Sequence, residues 1–144
     1  MSTKRQNRRE FMKETVLVGL AVSTGTYACA TGLKTIIPPT REGRIVVDTA
    51  EIKELATVGG AVKIASDLLG DPVILIRSED SAFTAISSTC THLGCEVRKN
   101  RFGFRCPCHG SAFDLSGKVV TGPANEALPV YDIELNGTIV TIKV

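Results

Sequence analysis

Two short boxes, Cys90-Thr91-His92-Leu93-Gly94-Cys95 and Cys106-Pro107-Cys108-His109-Gly110-Ser111, constrain this chain more than any other feature. They hold four of its five cysteines and both of its histidines. Each box sets a histidine two or three residues after a cysteine, so the pair offers two thiolates and two imidazoles. Zinc and iron–sulfur clusters both accept such a soft, mixed donor set. A metal needs only one cysteine from each box, which leaves Cys95 and Cys108 over at matched places. Two spare cysteines, one per loop, suggest a disulfide tying the loops together. Structural zinc on two cysteines and two histidines is chemically possible, but it has no use for the second pair. Two ordinary disulfides would make the placement of both histidines a coincidence.

These residues resemble the Rieske iron–sulfur proteins, specifically the branch found in quinol-oxidising cytochrome bc complexes. The resemblance runs from Ile45 to the C-terminus. It implies one 2Fe-2S cluster with Cys90 and Cys106 on one iron, His92 and His109 on the other, and Cys95 paired with Cys108. Ser111-Ala112-Phe113-Asp114 and Gly122-Pro123-Ala124 match as well, the latter corresponding to a proline loop that covers the cluster. The spacer between His92 and Cys106 is shorter than in most members, which bears on the intervening hairpin and not on the ligands.

The chemistry explains the donor choice. Two ferric ions and two sulfides carry a double positive charge that two thiolates neutralise, whereas four thiolates would make a dianion. Adding an electron to a neutral centre is easier, so histidine ligation raises the potential to roughly −150 to +300 mV, against about −400 mV for plant-type clusters. Each imidazole also keeps one nitrogen that can carry a proton, and reduction raises its proton affinity. Electron and proton uptake are thereby coupled, which suits a quinol donor. Ser111 matches the family serine whose hydroxyl donates to a bridging sulfide and raises the potential. Two residues on, the highest-potential members carry a tyrosine and this chain has Phe113, so a potential below the top of the range is expected, suited to menaquinol. Leu93, beside His92, is expected to shape an apolar docking surface.

A disulfide closing a loop of about a dozen residues contributes roughly 2–4 kcal/mol and persists only in an oxidising compartment. The N-terminus points to one independently. Asn7-Arg8-Arg9-Glu10-Phe11-Met12-Lys13 reads as a twin-arginine export signal, followed by 19 uncharged residues between Glu14 and Lys34. That length just spans a bilayer, and basic residues before the run place the N-terminus inside. A retained membrane anchor is the favoured reading. Ala28-Cys29-Ala30 also resembles a cleavage site, and lipid attachment at Cys29 is a third option.

Residues 1–30 carry five basic and two acidic side chains, within a whole-chain charge of +2. The basic balance belongs to the targeting segment, and no nucleic-acid partner is implied. Residues 1–33 therefore read as signal and anchor, 34–43 with Pro38-Pro39 as a semi-rigid linker, and 44–144 as one small domain.

Within that domain the pattern is almost wholly β. Arg44–Asp48, Pro72–Arg77 and Phe83–Ser87 are short β-branched runs between turn residues. Val130–Leu135 and Thr138–Val144 alternate around Asn136-Gly137, a two-residue hairpin signal. Glu51–Leu55 and Ala61–Ser66 read as short helical turns, and Glu96–Lys99 with Phe102–Arg105 as a hairpin between the boxes. The resemblance implies stacked antiparallel sheets with a cluster-binding loop subdomain at one tip. The reading is an electron-transfer subunit on the outer face of the cell membrane, taking an electron from quinol and working with cytochrome b and a c-type cytochrome. The alternatives are the Rieske small subunit of a molybdenum oxidoreductase such as arsenite oxidase, and a soluble oxygenase-type ferredoxin, which usually lacks the extra cysteine pair.

Overall fold

The structure, a computed structural model, describes residues 32–144. The twin-arginine motif, the apolar run up to Thr31 and Cys29 lie outside the described residues. Thirteen strands form: β1 Thr35–Ile36, β2 Thr40–Arg41, β3 Arg44–Asp48, β4 Ala61–Ile64, β5 Val73–Glu79, β6 Ala82–Ser87, β7 Arg98–Lys99, β8 Phe104–Arg105, β9 Ala112–Phe113, β10 Val119–Thr121, β11 Val130–Tyr131, β12 Ile133–Asn136 and β13 Ile139–Lys143. They make three sheets, a five-stranded one in the order β1-β4-β5-β6-β11 and two four-stranded ones, β10-β9-β8-β7 and β12-β13-β3-β2.

The five-stranded sheet lies between the other two, and its sequence shows why. In β5 the residues Val73-Ile74-Leu75-Ile76 are all buried, a continuous apolar run rather than an alternation. Successive strand side chains point to opposite faces, so this run must be covered on both. Ile74 and Ile76, with Ala61 and Ile86, pack against Phe104, Phe113, Cys90 and Cys106 of the box-bearing side. Val73 and Leu75, with Val62, Ile64 and Ala85, pack against Ile45, Val47, Val140 and Ile142 of the third sheet. That outer sheet alternates, with one face buried. The expected all-β fold with stacked antiparallel sheets is observed, and its two cores share the central sheet.

Several local expectations are corrected. Ala61–Ser66 is not a helical turn: Ala61–Ile64 is strand β4, antiparallel to β5 with Ala61 opposite Ile76 and Ile64 opposite Val73. β-Branched Val62 and Ile64 on one face favour a pleated surface over a helix. Glu51–Leu55 resolves into two 3-10 turns, Thr49–Glu51 and Lys53–Leu55, the first capped by Asp48 accepting from the Ala50 N–H. Residues 34–43, read as a semi-rigid linker, include two short paired strands. β1 pairs parallel with β4 and β2 antiparallel with β3, leaving Pro38-Pro39 in the gap, where a missing N–H costs no ladder bond. Val130–Leu135 breaks at Asp132, where the chain leaves the central sheet for the outer one. The final hairpin turns at Gly137-Thr138, with Asn136 already paired to Ile139. Glycine at the first loop position, φ 61°, is the form that tolerates an ordinary residue second.

The small sheet carries the boxes at one end. β7 leaves the first box and β8 returns to the second, while β9 leaves the second and β10 leads to Gly122-Pro123. The β7–β8 hairpin has shorter strands and a wider turn than expected, with two residues per strand around Asn100–Gly103. Asn100 Oδ1 accepts from the N–H groups of Phe102 and Gly103 at 2.8 and 3.0 Å. Gly103 must be glycine: φ is 155°, and a Cβ would overlap the Phe113 carbonyl oxygen and lie 2.9 Å from Asp114 Cα. The β9–β10 turn is built on Asp114, whose carboxylate accepts from Ser116 N, Ser116 Oγ and Lys118 N. Partial burial pushes that carboxyl upward, but these donors together outweigh it and hold it below the usual aspartate value.

Candidate metal centre

Both boxes are closed by the same pair of backbone hydrogen bonds. In the first, Cys90 N donates to Cys95 O at 2.8 Å and Gly94 N to Cys90 O at 2.9 Å. In the second, Cys106 N donates to Ser111 O at 2.8 Å and Gly110 N to Cys106 O at 3.1 Å. The turn needs a left-handed residue four places after the cysteine, and Gly94 and Gly110 supply it at φ 76° and 84°. This shared glycine offset was readable in the sequence and was missed.

The closed loops sort their side chains by depth. Cys90 and Cys106 are free thiols, each 1 % exposed. His92 is half-buried, His109 is exposed, and the two rings meet edge to face with centroids 4.8 Å apart. Leu93 stands 68 % exposed beside them. A disulfide joins Cys95 to Cys108 across the loops, closing thirteen positions of chain. The sulfurs of Cys95, Cys106 and Cys108 lie within 4.8 Å of one another. Two of them are bonded to each other, so Cys106 alone of the three has a thiolate to give.

The surrounding contacts fasten this end to the rest of the domain. Ser111 is fully buried, and its Oγ accepts from the Ala124 N–H at 3.0 Å, which leaves the hydroxyl hydrogen for another acceptor. Thr91 Oγ1 donates to Glu126 O at 2.7 Å. The segment after Gly122-Pro123, whose peptide bond is cis, is therefore tied to both boxes. Phe113 is buried in the core that holds Cys90 and Cys106. Lys63 Nζ, on β4, reaches Glu96 Oε1 at 2.8 Å, linking the central sheet to the end of the first box. Thr91, Lys63 and Glu96 were not foreseen, because each contact joins residues more than thirty positions apart.

The donors present fit an iron–sulfur cluster. Two free thiols are buried in one core cluster, two imidazoles meet edge to face, and among the described residues His92 Nδ1 is buried without a hydrogen-bond partner. A buried ring nitrogen left unpaired costs stability, and a nitrogen with a free lone pair in such a place is suited to a metal.

A family model described as the Rieske [2Fe-2S] domain matches residues 46–132. The chain belongs to that family. It carries one Rieske-type 2Fe-2S cluster and transfers electrons through it. Among curated proteins it is 31% identical over 141 residues to the cytochrome b6-f complex iron-sulfur subunit of Chlorobaculum thiosulfatiphilum, covering 94% of this chain and 75% of that protein. It is 41% identical over 86 residues to cytochrome b6-f complex iron-sulfur subunit 1 of Nostoc sp. (strain PCC 7120), covering 57% of this chain and 48% of that subunit, so this match spans about half the relative's length. Of solved structures, the plasma membrane Rieske protein PetC3 from Synechocystis PCC 6803 is similar with TM-score 0.53 and 35% identity, over 59% of this chain and 87% of that one. The ferredoxin of carbazole 1,9a-dioxygenase from Nocardioides aromaticivorans IC177 is similar with TM-score 0.52 and 26% identity, over 68% and 96%.

Proposed function

We propose that this chain is the iron–sulfur subunit of a quinol-oxidising cytochrome bc complex, with Cys90 and Cys106 holding one iron and His92 and His109 the other. The observation that carries the reading is the exposed edge: His109 in solvent and Leu93 68 % exposed, above two loops locked together by Cys95–Cys108. Held by these four residues, the cluster would supply one-electron chemistry at a potential raised by histidine ligation. The chain's own residues do the rest. An imidazole at the edge accepts a hydrogen bond from a quinol hydroxyl and takes its proton, Leu93 gives the neutral ring an apolar rest, and the disulfide keeps both imidazoles in place. The relatives, named as iron-sulfur subunits of cytochrome b6-f complexes, support cytochrome partners, here proposed as cytochrome b and a c-type cytochrome. The N-terminal segment is proposed as a twin-arginine signal kept as a membrane anchor, with the domain on the outer face, and the disulfide is compatible with that compartment.

The test is the midpoint potential of the cluster-loaded chain against pH. A positive midpoint that falls with pH on the alkaline side is expected, because the reduced form then binds protons more tightly than the oxidised form. A negative midpoint independent of pH around neutrality would sink quinol oxidation and favour a ferredoxin role.

Two substitutions probe the tuning. Ser111→Ala removes the hydroxyl proposed to donate to the cluster and leaves the Ala124 N–H unpartnered in the interior. The midpoint should fall, and stability should drop by about 1–3 kcal/mol; an unchanged potential in a redox titration would remove Ser111 from the tuning set. Phe113→Tyr places a hydroxyl in the core that holds Cys90 and Cys106. The midpoint should rise, and a fall or no change would show that Phe113 does not set a menaquinol-range potential.

A further inference from the structure

The β7–β8 hairpin concentrates positive charge beside the second box. Arg98, Lys99, Arg101 and Arg105 lie within eight residues that hold no carboxylate, whereas the rest of residues 31–144 carries eight basic and thirteen acidic side chains. Arg98 and Arg105 are paired directly across the two strands, and both are exposed. Like charges placed opposite each other in a sheet repel and are destabilising. The four ion pairs among the described residues, Lys34–Glu54, Arg44–Glu134, Lys63–Glu96 and Lys143–Glu134, leave this doublet without a carboxylate partner. Its placement is specific: Arg105 Nη2 lies 3.6 Å from where a Cβ on Gly110 would stand, alongside the loop that presents exposed His109.

We infer that Arg98 and Arg105 form a cationic docking element that brings the acidic face of an electron-transfer protein to the His109 edge. This rests on the electron-carrier reading above and names the chemistry of its protein partner. A quinol is neutral and gains nothing from the doublet, whereas Leu93 offers it an apolar contact. Fixed negative charge around a partner's redox centre is complementary to the two guanidiniums, which present rigid, permanently charged forks to carboxylates. The electrostatic work falls on encounter and orientation, where a local potential of one sign raises association rates by roughly 10–1000-fold and fades with salt.

Inorganic oxidants of opposite charge test this on the full-length, cluster-loaded chain in non-ionic detergent. In each reaction one electron leaves the reduced protein and lowers the oxidant's metal from the trivalent to the divalent state, with no atom transferred. Stopped-flow rates with anionic hexacyanoferrate(III) and cationic tris(phenanthroline)cobalt(III) are compared at ionic strengths of about 0.01 and 0.15 M, where the Debye length shrinks from about 30 to 8 Å. The anion should react roughly tenfold faster at low salt than at high salt. Arg98→Gln/Arg105→Gln should abolish that gain and accelerate the cation. Arg41→Gln/Lys53→Gln, which removes the same charge from exposed positions away from the box-bearing sheet, should leave both rates near those of the parent. Equal effects from the two double variants would overturn the proposal, since net charge alone would then explain the rates. Movement of both oxidants in the same direction would overturn it too, because that is the mark of a changed driving force. Failure of the quinol reading shows separately, as a negative and pH-independent midpoint.

Discussion

Cys106→Ser is expected to purify without iron, labile sulfide or visible absorption, and without the electron paramagnetic resonance signal of a reduced Rieske centre. Under the proposed assignment Cys106 is one of two thiolates on a single iron, and a serine hydroxyl yields its proton to iron far less readily than a thiol does. The site is 1 % exposed, so the new hydroxyl is also buried, at a cost of about 1–3 kcal/mol if it finds no partner. The fold should survive. Among the described residues, the core shared by the central and outer sheets, built on Ile45, Val47, Leu75 and Ile142, contains no cysteine. Far-ultraviolet circular dichroism should therefore remain β-type while the iron content falls to zero. A full complement of iron with an unaltered resonance signal would move the ligand role away from Cys106.

The second large effect concerns the disulfide. Cys95→Ser/Cys108→Ser should still assemble a cluster but lose it much faster on warming, and dithiothreitol should produce the same behaviour in the parent chain. Closing a loop of thirteen positions limits the unfolded chain by about 3 kcal/mol through loop-closure entropy. Without the bond, the loops are still joined by the β7–β8 pairing at their base and through the segment after Gly122-Pro123, by way of Thr91–Glu126 and Ser111–Ala124. These two hydrogen bonds contribute about 0.5–1.5 kcal/mol each, less than the bond they would replace. The half-time of visible absorbance on heating measures the difference. A lifetime equal to that of the parent would show that the hydrogen bonds suffice.

The disulfide and the basic doublet divide the work at this end of the molecule. One holds the two boxes at a fixed separation, and the other biases which partner reaches them. Both follow from the shortness of the β7–β8 hairpin. With two residues in each strand, the basic side chains stay close to the box loops.

Much of the centre was legible in the chain because its chemistry is local. Donor types at spacings of two and three residues, with a spare cysteine in each box, need no knowledge of distant contacts. The outer strands were legible for a similar reason: Arg44–Asp48 alternates because one of its faces meets the core. The continuous run Val73-Ile74-Leu75-Ile76 already read as a strand, but a run has no phase and could not say what covers each face. Ala61–Ile64 was misread as helical because four residues are too few to separate the two periods when Val62 and Ile64 are the only strong signal. The docking of Thr35–Ile36 was likewise hidden, since an edge strand of two residues is stabilised by its partner and not by its own composition.

By itself, then, the sequence determined the family resemblance, the spare cysteine pair and the β class. Each rests on residue types or on spacings within a few positions. Only the tertiary structure decided which side chains are buried, that His92 Nδ1 is left unpartnered in the interior, and that Ser111 is held by Ala124. It also placed Arg105 beside Gly110 and joined Lys63 to Glu96. The ties to Ala124 and Glu96 join residues far apart in the chain. Even Arg105 and Gly110, only five residues apart, meet through the curl of the box loop and not through a local spacing rule. Such contacts arise when two cores pack against opposite faces of one sheet, and no local propensity encodes them.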